Sequence, residues 1–232
     1  MGLFLSVTSV VGKNKSEVVN SLTKYAILTG GGLNVETLSL ENNNCCVVEE
    51  SNGNTTIFNP YAYLEWDASS AFISKDLNAP VFSFHIHDGD LWMYILFVNG
   101  ETVDQFNPLP DYWDENISED EIALWKGNAV VVSTFLGTLE PNDIERYLVR
   151  WDLDAEDVLK AYPGDQFGQE DWQLLDFMQK LGLPYPLNDD GLPESQTYKL
   201  WTKELPLEAN ASQALQVNPA IKKAAKPWWR FW

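Results

Sequence analysis

Between residues 81 and 107, three runs rich in aromatic and β-branched residues are punctuated by Asp88-Gly89 and Asn99-Gly100. Asp-Gly and Asn-Gly best tolerate the positive φ angles of a two-residue hairpin loop, so the stretch predicts a three-stranded antiparallel meander. Two-residue loops at both dipeptides fix a register: His87 opposite Asp90, His85 opposite Trp92, Ser83 opposite Tyr94, then Val98 opposite Glu101 and Tyr94 opposite Gln105. Because side chains alternate across a strand, that register assigns faces. One face collects Phe82, Phe84, Ile86, Leu91, Met93, Ile95, Phe97 and Phe106 as core. The other collects Ser83, His85, His87, Asp90, Trp92, Tyr94, Gln105 and Asn107 as a hydrogen-bonding surface. Asp104 falls on the apolar side opposite Ile95. A buried carboxylate needs donors, and those expected are the backbone N–H groups of the turning segment that starts at Phe106-Asn107-Pro108. Asp104 is therefore expected to be a structural carboxylate, with a bulge that rotates it to solvent as the alternative.

Ahead of the meander, Leu3–Val11 reads as a strand and Ser16–Leu28 as an amphipathic helix capped by Ser16. Gly30-Gly31-Gly32 follows a helix instead of opening one, so it reads as a linker and not a phosphate cradle. Leu33–Leu40, Cys45–Glu50 and Thr55–Asn59 read as short strands, and Asp67–Leu77 as a second helix capped by Asp67 or Ser69. From Ile117 onward the pattern becomes helical. Ser118 to Glu121 forms a capping box, followed by Pro141–Trp151, Asp154–Tyr162 and Asp171–Leu181, the last burying Trp172, Leu175, Phe177 and Met178. Residues 188–220 lose periodicity. The expected class is α+β: an antiparallel sheet including the meander (81–107), flanked by helices, with a helical C-terminal half. Residues 1–185 are expected to form one domain, and 186–232 an irregular extension.

The 232 residues, 45 % hydrophobic and 13 % aromatic, are ample for a packed core. No basic leader precedes the short apolar run at the start, and no run reaches the ~20 residues of a membrane span. Cys45 and Cys46 are adjacent, which fits two reduced thiols in a cytoplasmic protein better than a strained vicinal disulfide. The formal charge of −19 is uneven: residues 1–100 carry 10 acidic and 4 basic side chains, 101–195 carry 22 and 5, and 196–232 carry 2 and 6. So negative a body disfavours nucleic acid and anionic membrane, favours a basic protein partner, and keeps the chain in solution. The basic stretch ends Lys226-Pro227-Trp228-Trp229-Arg230-Phe231-Trp232. Trp228, Trp229, Arg230 and Trp232 suit a tail that folds back on the acidic body, a peptide ligand, or a weak interfacial membrane contact.

Candidate chemistry is sparse. His85 and His87, at i and i+2 with Asp90 across the hairpin, have the residue types of a three-ligand zinc site, but no third histidine exists and the cysteines do not complete a set. Hydrogen-bonded sheet histidines are the plainer role. No serine nucleophile elbow, phosphate loop or dinucleotide fingerprint is present. No cofactor, metal or catalytic set is assigned.

Residues 88–113, DGDLWMYILFVNGETVDQFNPLPDYW, resemble a group of bacterial proteins that share an Asp-Leu-Trp-Met-Tyr strand and an Asp-x-Phe-Asn-Pro segment. The likeness extends to Ile144–Asp152 and Asp171–Gly182, and so implies a resemblance over most of residues 1–185; the Pro-Trp-Trp-Arg-Phe-Trp ending is similar to tails on assorted cyanobacterial proteins. The resemblance brings no activity and no functional residue to this chain. The reading is thus a non-catalytic, cytoplasmic interaction protein of immunity or adaptor type, binding a protein partner through its acidic surface or through His85, Trp92 and Tyr94. The alternative is a metal-dependent or hydrolase-like enzyme centred on His85, His87 and Asp90.

Overall fold

The structure, a computed structural model, describes residues 4–61, 63–87, 91–114, 116–137, 139–152, 172–188 and 190–207. Its strands are β1 (Leu5–Val10), β2 (Gly32–Val35), β3 (Cys45–Ser51), β4 (Asn54–Phe58), β5 (Val81–His87), β6 (Leu91–Val98), β7 (Glu101–Phe106) and β8 (Gln196–Trp201). They form one antiparallel sheet in the order β2-β8-β3-β4-β1-β5-β6-β7. Helices α1 (Lys15–Leu28) and α2 (Trp66–Leu77) cover one face. On the other lie α4 (Ala129–Ser133), α5 (Pro141–Ile144) with the 3₁₀ turn Glu145–Tyr147, and α6 (Trp172–Lys180); α3 (Glu119–Leu124) is exposed beyond the β7 edge. Sheet and flanking helices bear out the α+β class.

The meander exists, with a register that differs from expectation. His87 pairs with Leu91, Ile86 with Trp92, His85 with Met93 and Phe84 with Tyr94. Three residues, 88–90, therefore separate the paired ends where a two-residue loop predicts two. A one-residue slip turns every side chain of the following strand to the opposite face. Trp92, Tyr94 and Leu96 accordingly join Phe82, Phe84, Ile86 and Phe106 in the core beneath the short helices, and Trp92 and Tyr94 are 1 % and 0 % exposed. Ile95 and Phe97 pack in the core beneath α1 and α2. The expected hydrogen-bonding surface of His85, Trp92 and Tyr94 does not exist, because helices bury β6 on both faces. Trp92 Nε1 donates to Gln173 Oε1 on α6 at 2.5 Å, and Phe177 packs against both Trp92 and Tyr94, with ring centroids 4.9 and 5.8 Å away.

The second hairpin starts as expected. Asn99 and Gly100 have φ of 54° and 83°, the two positive angles of a type I′ turn, and Val98 pairs with Glu101. A bulge then shifts the pairing between Leu96 and Phe97, so that Asp104 faces Leu96, not Ile95. The bulge brings Asp104 Oδ2 to the hydroxyl of Tyr94, which donates at 2.6 Å, and to the Asn128 backbone N–H at 3.1 Å. Asp104 is thus a bonded, half-buried carboxylate, but its donors are Tyr94 and the start of α4, not the Phe106–Pro110 turn. Burial raises its carboxyl above the usual range, while the bonds from Tyr94, Asn128 and Gln105 act against that rise.

Other elements are displaced slightly. Asn14, not Ser16, caps α1: its side chain accepts from the Glu17 N–H, and Glu17 bonds back to Asn14 N–H. On α2 neither Asp67 nor Ser69 is the cap, and the helix starts one residue earlier. The Gly30–Gly32 stretch is a close-packing site and not a plain linker, since a Cβ on Gly31 would lie 1.8 Å from the Trp201 carbonyl oxygen. Trp201 ends β8, the strand inside the stretch expected to be irregular; it inserts between β2 and β3. On α6 the buried positions include Leu174, Phe177 and Met178, with Leu175 only half-buried. Pro141–Trp151 contracts to α5 and its 3₁₀ turn. The expected helix Asp154–Tyr162 and the tail lie outside the described residues.

Two outcomes follow from this register. Trp92→Ala should cost about 3–5 kcal/mol in urea unfolding, the usual cost of truncating a buried Trp; a cost under about 1 kcal/mol would put Trp92 at the surface. A Tyr94→Phe/Asp104→Asn double-mutant cycle should give a coupling of about 1–3 kcal/mol, as for a hydrogen bond to a charged group.

Candidate functional site

The slip that removes Trp92 and Tyr94 from the histidine face leaves that face to β1, β5 and α2. Ser6 pairs with His85 and Thr8 with Ser83 across β1 and β5, so these four side chains point toward α2. There a buried hydroxyl network forms. Ser70 Oγ lies 2.9 Å from both Thr8 Oγ1 and Ser83 Oγ, and each serine hydroxyl, with one proton to give, is also within reach of the Trp66 carbonyl, at 2.7 Å for Ser70 and 3.1 Å for Ser83. Asn59 Nδ2 closes it by donating to Thr8 Oγ1 at 3.1 Å. A connected buried network of this kind favours one geometry. It fastens the first turn of α2 to the sheet and sets the Trp66 indole parallel to the His85 imidazole, with centroids 5.1 Å apart at 10°.

Beside that stack is a cavity of about 450 Å³, lined by Phe4, Leu5, Ser6, Pro60, Tyr61, Tyr63, Leu64, Trp66, His85 and His87. Its volume lies in the range of small-ligand pockets. Tyr61 and Leu64 are 51 % and 44 % exposed and form the rim; Tyr63 and Trp66 are buried in the wall. His87 adds an aromatic corner, its ring meeting Phe4 at 4.8 Å and Trp113 at 5.0 Å, both edge-on.

Two polar atoms behind this apolar wall, His85 Nδ1 and Tyr63 Oη, are buried and make no hydrogen bond of ordinary geometry, although the Leu5 backbone lies near the imidazole and the Ser69 hydroxyl near the phenol. Leaving such an atom unpaired costs roughly 1–3 kcal/mol, so buried groups of this kind call for explanation. Burial, then the neighbouring His87, lower His85 to about 3, with a contact to the Leu5 backbone acting against them. At neutral pH His85 is therefore an uncharged imidazole with acceptor capacity. Burial is also the largest cause holding the Tyr63 hydroxyl well above its ordinary range, followed by Tyr25. The Ser69 hydroxyl, committed to the Trp66 carbonyl at 3.2 Å, opposes this only weakly. Both atoms lie behind the cavity surface and out of contact with solvent, so the lumen is walled by the rings and aliphatic carbon of the lining residues.

The histidines His85 and His87 do share a site, with ring centroids 6.2 Å apart. Asp90, the expected third member, lies outside the described residues. Among the described residues no group of three His, Cys, Asp or Glu side chains is arranged to hold a metal ion. Cys45 and Cys46 are free and buried in β3; burial raises Cys45 to about 11 and Cys46 further, the opposite of an activated thiolate. Sequence reasoning missed Tyr61, Tyr63 and Trp66. The available signal was Phe58-Asn59-Pro60-Tyr61 directly after a strand, which repeats the Phe106-Asn107-Pro108 ending of β7. Both asparagines are 2 % exposed, and both segments turn into aromatic clusters.

No family model, curated protein or solved structure matches this chain. Among the described residues no helix is long and apolar enough to cross a membrane.

The lowered His85 makes a stability prediction with a defined sign. An imidazole whose folded value lies below its unfolded value of about 6.5 favours the fold only while neutral, so the fold loses stability as pH falls below 6.5. Replacing it by Phe, which keeps the stack on Trp66, should remove about 1.4 kcal/mol per pH unit of that dependence between pH 6 and 4. Parallel urea slopes for both chains across that range would show that His85 protonates freely.

Proposed function

We propose that the chain is a non-catalytic binding protein whose recognition element is the aromatic cavity between β1, β5 and the start of α2. The observation that carries this reading is an open cavity of about 450 Å³ walled mostly by rings and aliphatic carbon, with the parallel Trp66–His85 stack beside it. Such a wall selects a flat apolar group, because a ring seated there displaces water from apolar surface. The exposed rim of Tyr61 and Leu64 suits a side chain presented by a protein or peptide better than a molecule swallowed whole. The net charge of −19 would steer a basic partner toward it. An adaptor or immunity-type role in the cytoplasm is the concrete form of this reading, with the contact moved from Trp92 and Tyr94 to the cavity.

An enzyme centred on His85, His87 and Asp90 is the weaker reading. A general base works best with a pKa near the operating pH, and an imidazole lowered to about 3 takes up a proton poorly at neutrality.

Indole, a flat ring with a single N–H donor, tests the binding reading. The chain contains only two histidines, so both imidazoles can be followed by ¹⁵N NMR. The protein should carry Ala at Trp228, Trp229, Phe231 and Trp232, so that its own aromatic tail cannot compete. Indole should move the His85 and His87 ring signals saturably, and Tyr61→Ala with Leu64→Ala should weaken binding at least fivefold. Signals that stay fixed, or an affinity indifferent to the rim, would refute the assignment.

A further inference from the structure

We infer that the cavity's occupant is the chain's own stretch Lys226–Trp232, docked in cis; this rests on the binding reading above. Three observations lead to it. The first is position. After β8 the chain turns back across the base of α2: Thr202 donates its hydroxyl to Glu65, Leu205 N–H returns to Thr202 Oγ1 at 3.0 Å, and Leu205 packs on the α1–α2 core. Glu65 lies between Leu64 and Trp66, two lining residues of the cavity. Thr202, five positions before the last described residue, Leu207, is thus tied to the residue between two lining residues.

The second is length. Twenty residues separate Leu207 from Trp228. A flexible segment of that size has a root-mean-square span of roughly 25 Å, comparable to the radius of a protein this large. Its effective concentration at a neighbouring site is on the order of millimolar, enough for a contact that would be weak between separate molecules.

The third is complementarity. Residues 1–207 hold 33 acidic and 11 basic side chains, whereas 208–232 hold 1 and 4. Residues 209–221 carry no charge, so the basic residues sit together beside the aromatics, after a neutral spacer. A Trp seated in the cavity lays its indole against an aromatic wall, and Lys226 and Arg230 beside it meet a body of opposite overall charge. An external partner then has to displace the segment.

The experiment compares the natural full chain with the full chain carrying Ala at Trp228, Trp229, Phe231 and Trp232. Histidine ring signals and indole affinity are measured in each, at protein concentrations tenfold apart. In-cis docking predicts that the substitutions shift the His85 and His87 signals, that indole binds the substituted chain about tenfold more tightly, and that neither result depends on concentration. Adding a synthetic peptide of residues 221–232 to the substituted chain should return the ring signals toward their natural positions. Identical signals and equal indole affinity in the two chains would overturn the inference while leaving the cavity a binding site. Indole binding to neither would remove the cavity reading itself. A shift that grows with concentration would mean docking between molecules, and would overturn docking in cis.

Discussion

The pairing of β5 with β6 is the constraint on which the rest of the structure depends. β5 alternates two kinds of side chain, Phe82, Phe84 and Ile86 on one side and Ser83, His85 and His87 on the other. β6, Leu-Trp-Met-Tyr-Ile-Leu-Phe-Val, is apolar on both. A strand like β6 accepts either register as far as its own hydrophobicity is concerned. The choice is made by what its rings can reach. With three residues in the loop, Trp92 and Tyr94 stand over the short helices, where Gln173 and Asp104 satisfy their polar atoms and Phe177 fills the space between them. With two residues they would face α1 and α2, where Ser70, Thr8 and Ser83 already bond one another.

That choice also creates the candidate site. Once the aromatics of β6 turn away, the polar half of β5 faces Ser6 and Thr8 of β1 and the first turn of α2, with His87 among Phe4, Tyr112 and Trp113. The hydroxyls find partners in the Trp66 carbonyl; the imidazole of His85 finds a flat ring and no donor. An apolar cavity beside a buried imidazole is thus the local consequence of a sheet whose bulk has been moved to its other face. Burial keeps that imidazole uncharged over the range in which proteins work.

Much of the architecture was legible in the chain, for identifiable reasons. The helices α1 and α2 announce themselves through apolar spacing. The Asn99-Gly100 turn does so through two residues able to adopt positive φ. The Asp88-Gly89 signal was equally strong and led one residue astray, because a strand apolar on both faces gives no alternation with which to check a loop length. The bulge before Asp104 compounded this, since no residue type marks it. β8 escaped notice in a polar stretch because its sheet partners, β2 and β3, lie some 160 residues earlier. The site's histidines were found through their chemistry. Their companions Tyr61, Tyr63 and Trp66 were not, because nothing local says that an Asn-Pro turn after β4 will close over β5.

The register can be measured directly from cross-strand backbone nuclear Overhauser effects in the labelled full chain. The account predicts contacts linking Phe84 with Tyr94 and Ile86 with Trp92. Contacts linking Phe84 with Met93 and His85 with Trp92 would restore the two-residue loop, return Trp92 and Tyr94 to the histidine face, and contradict the cavity as described.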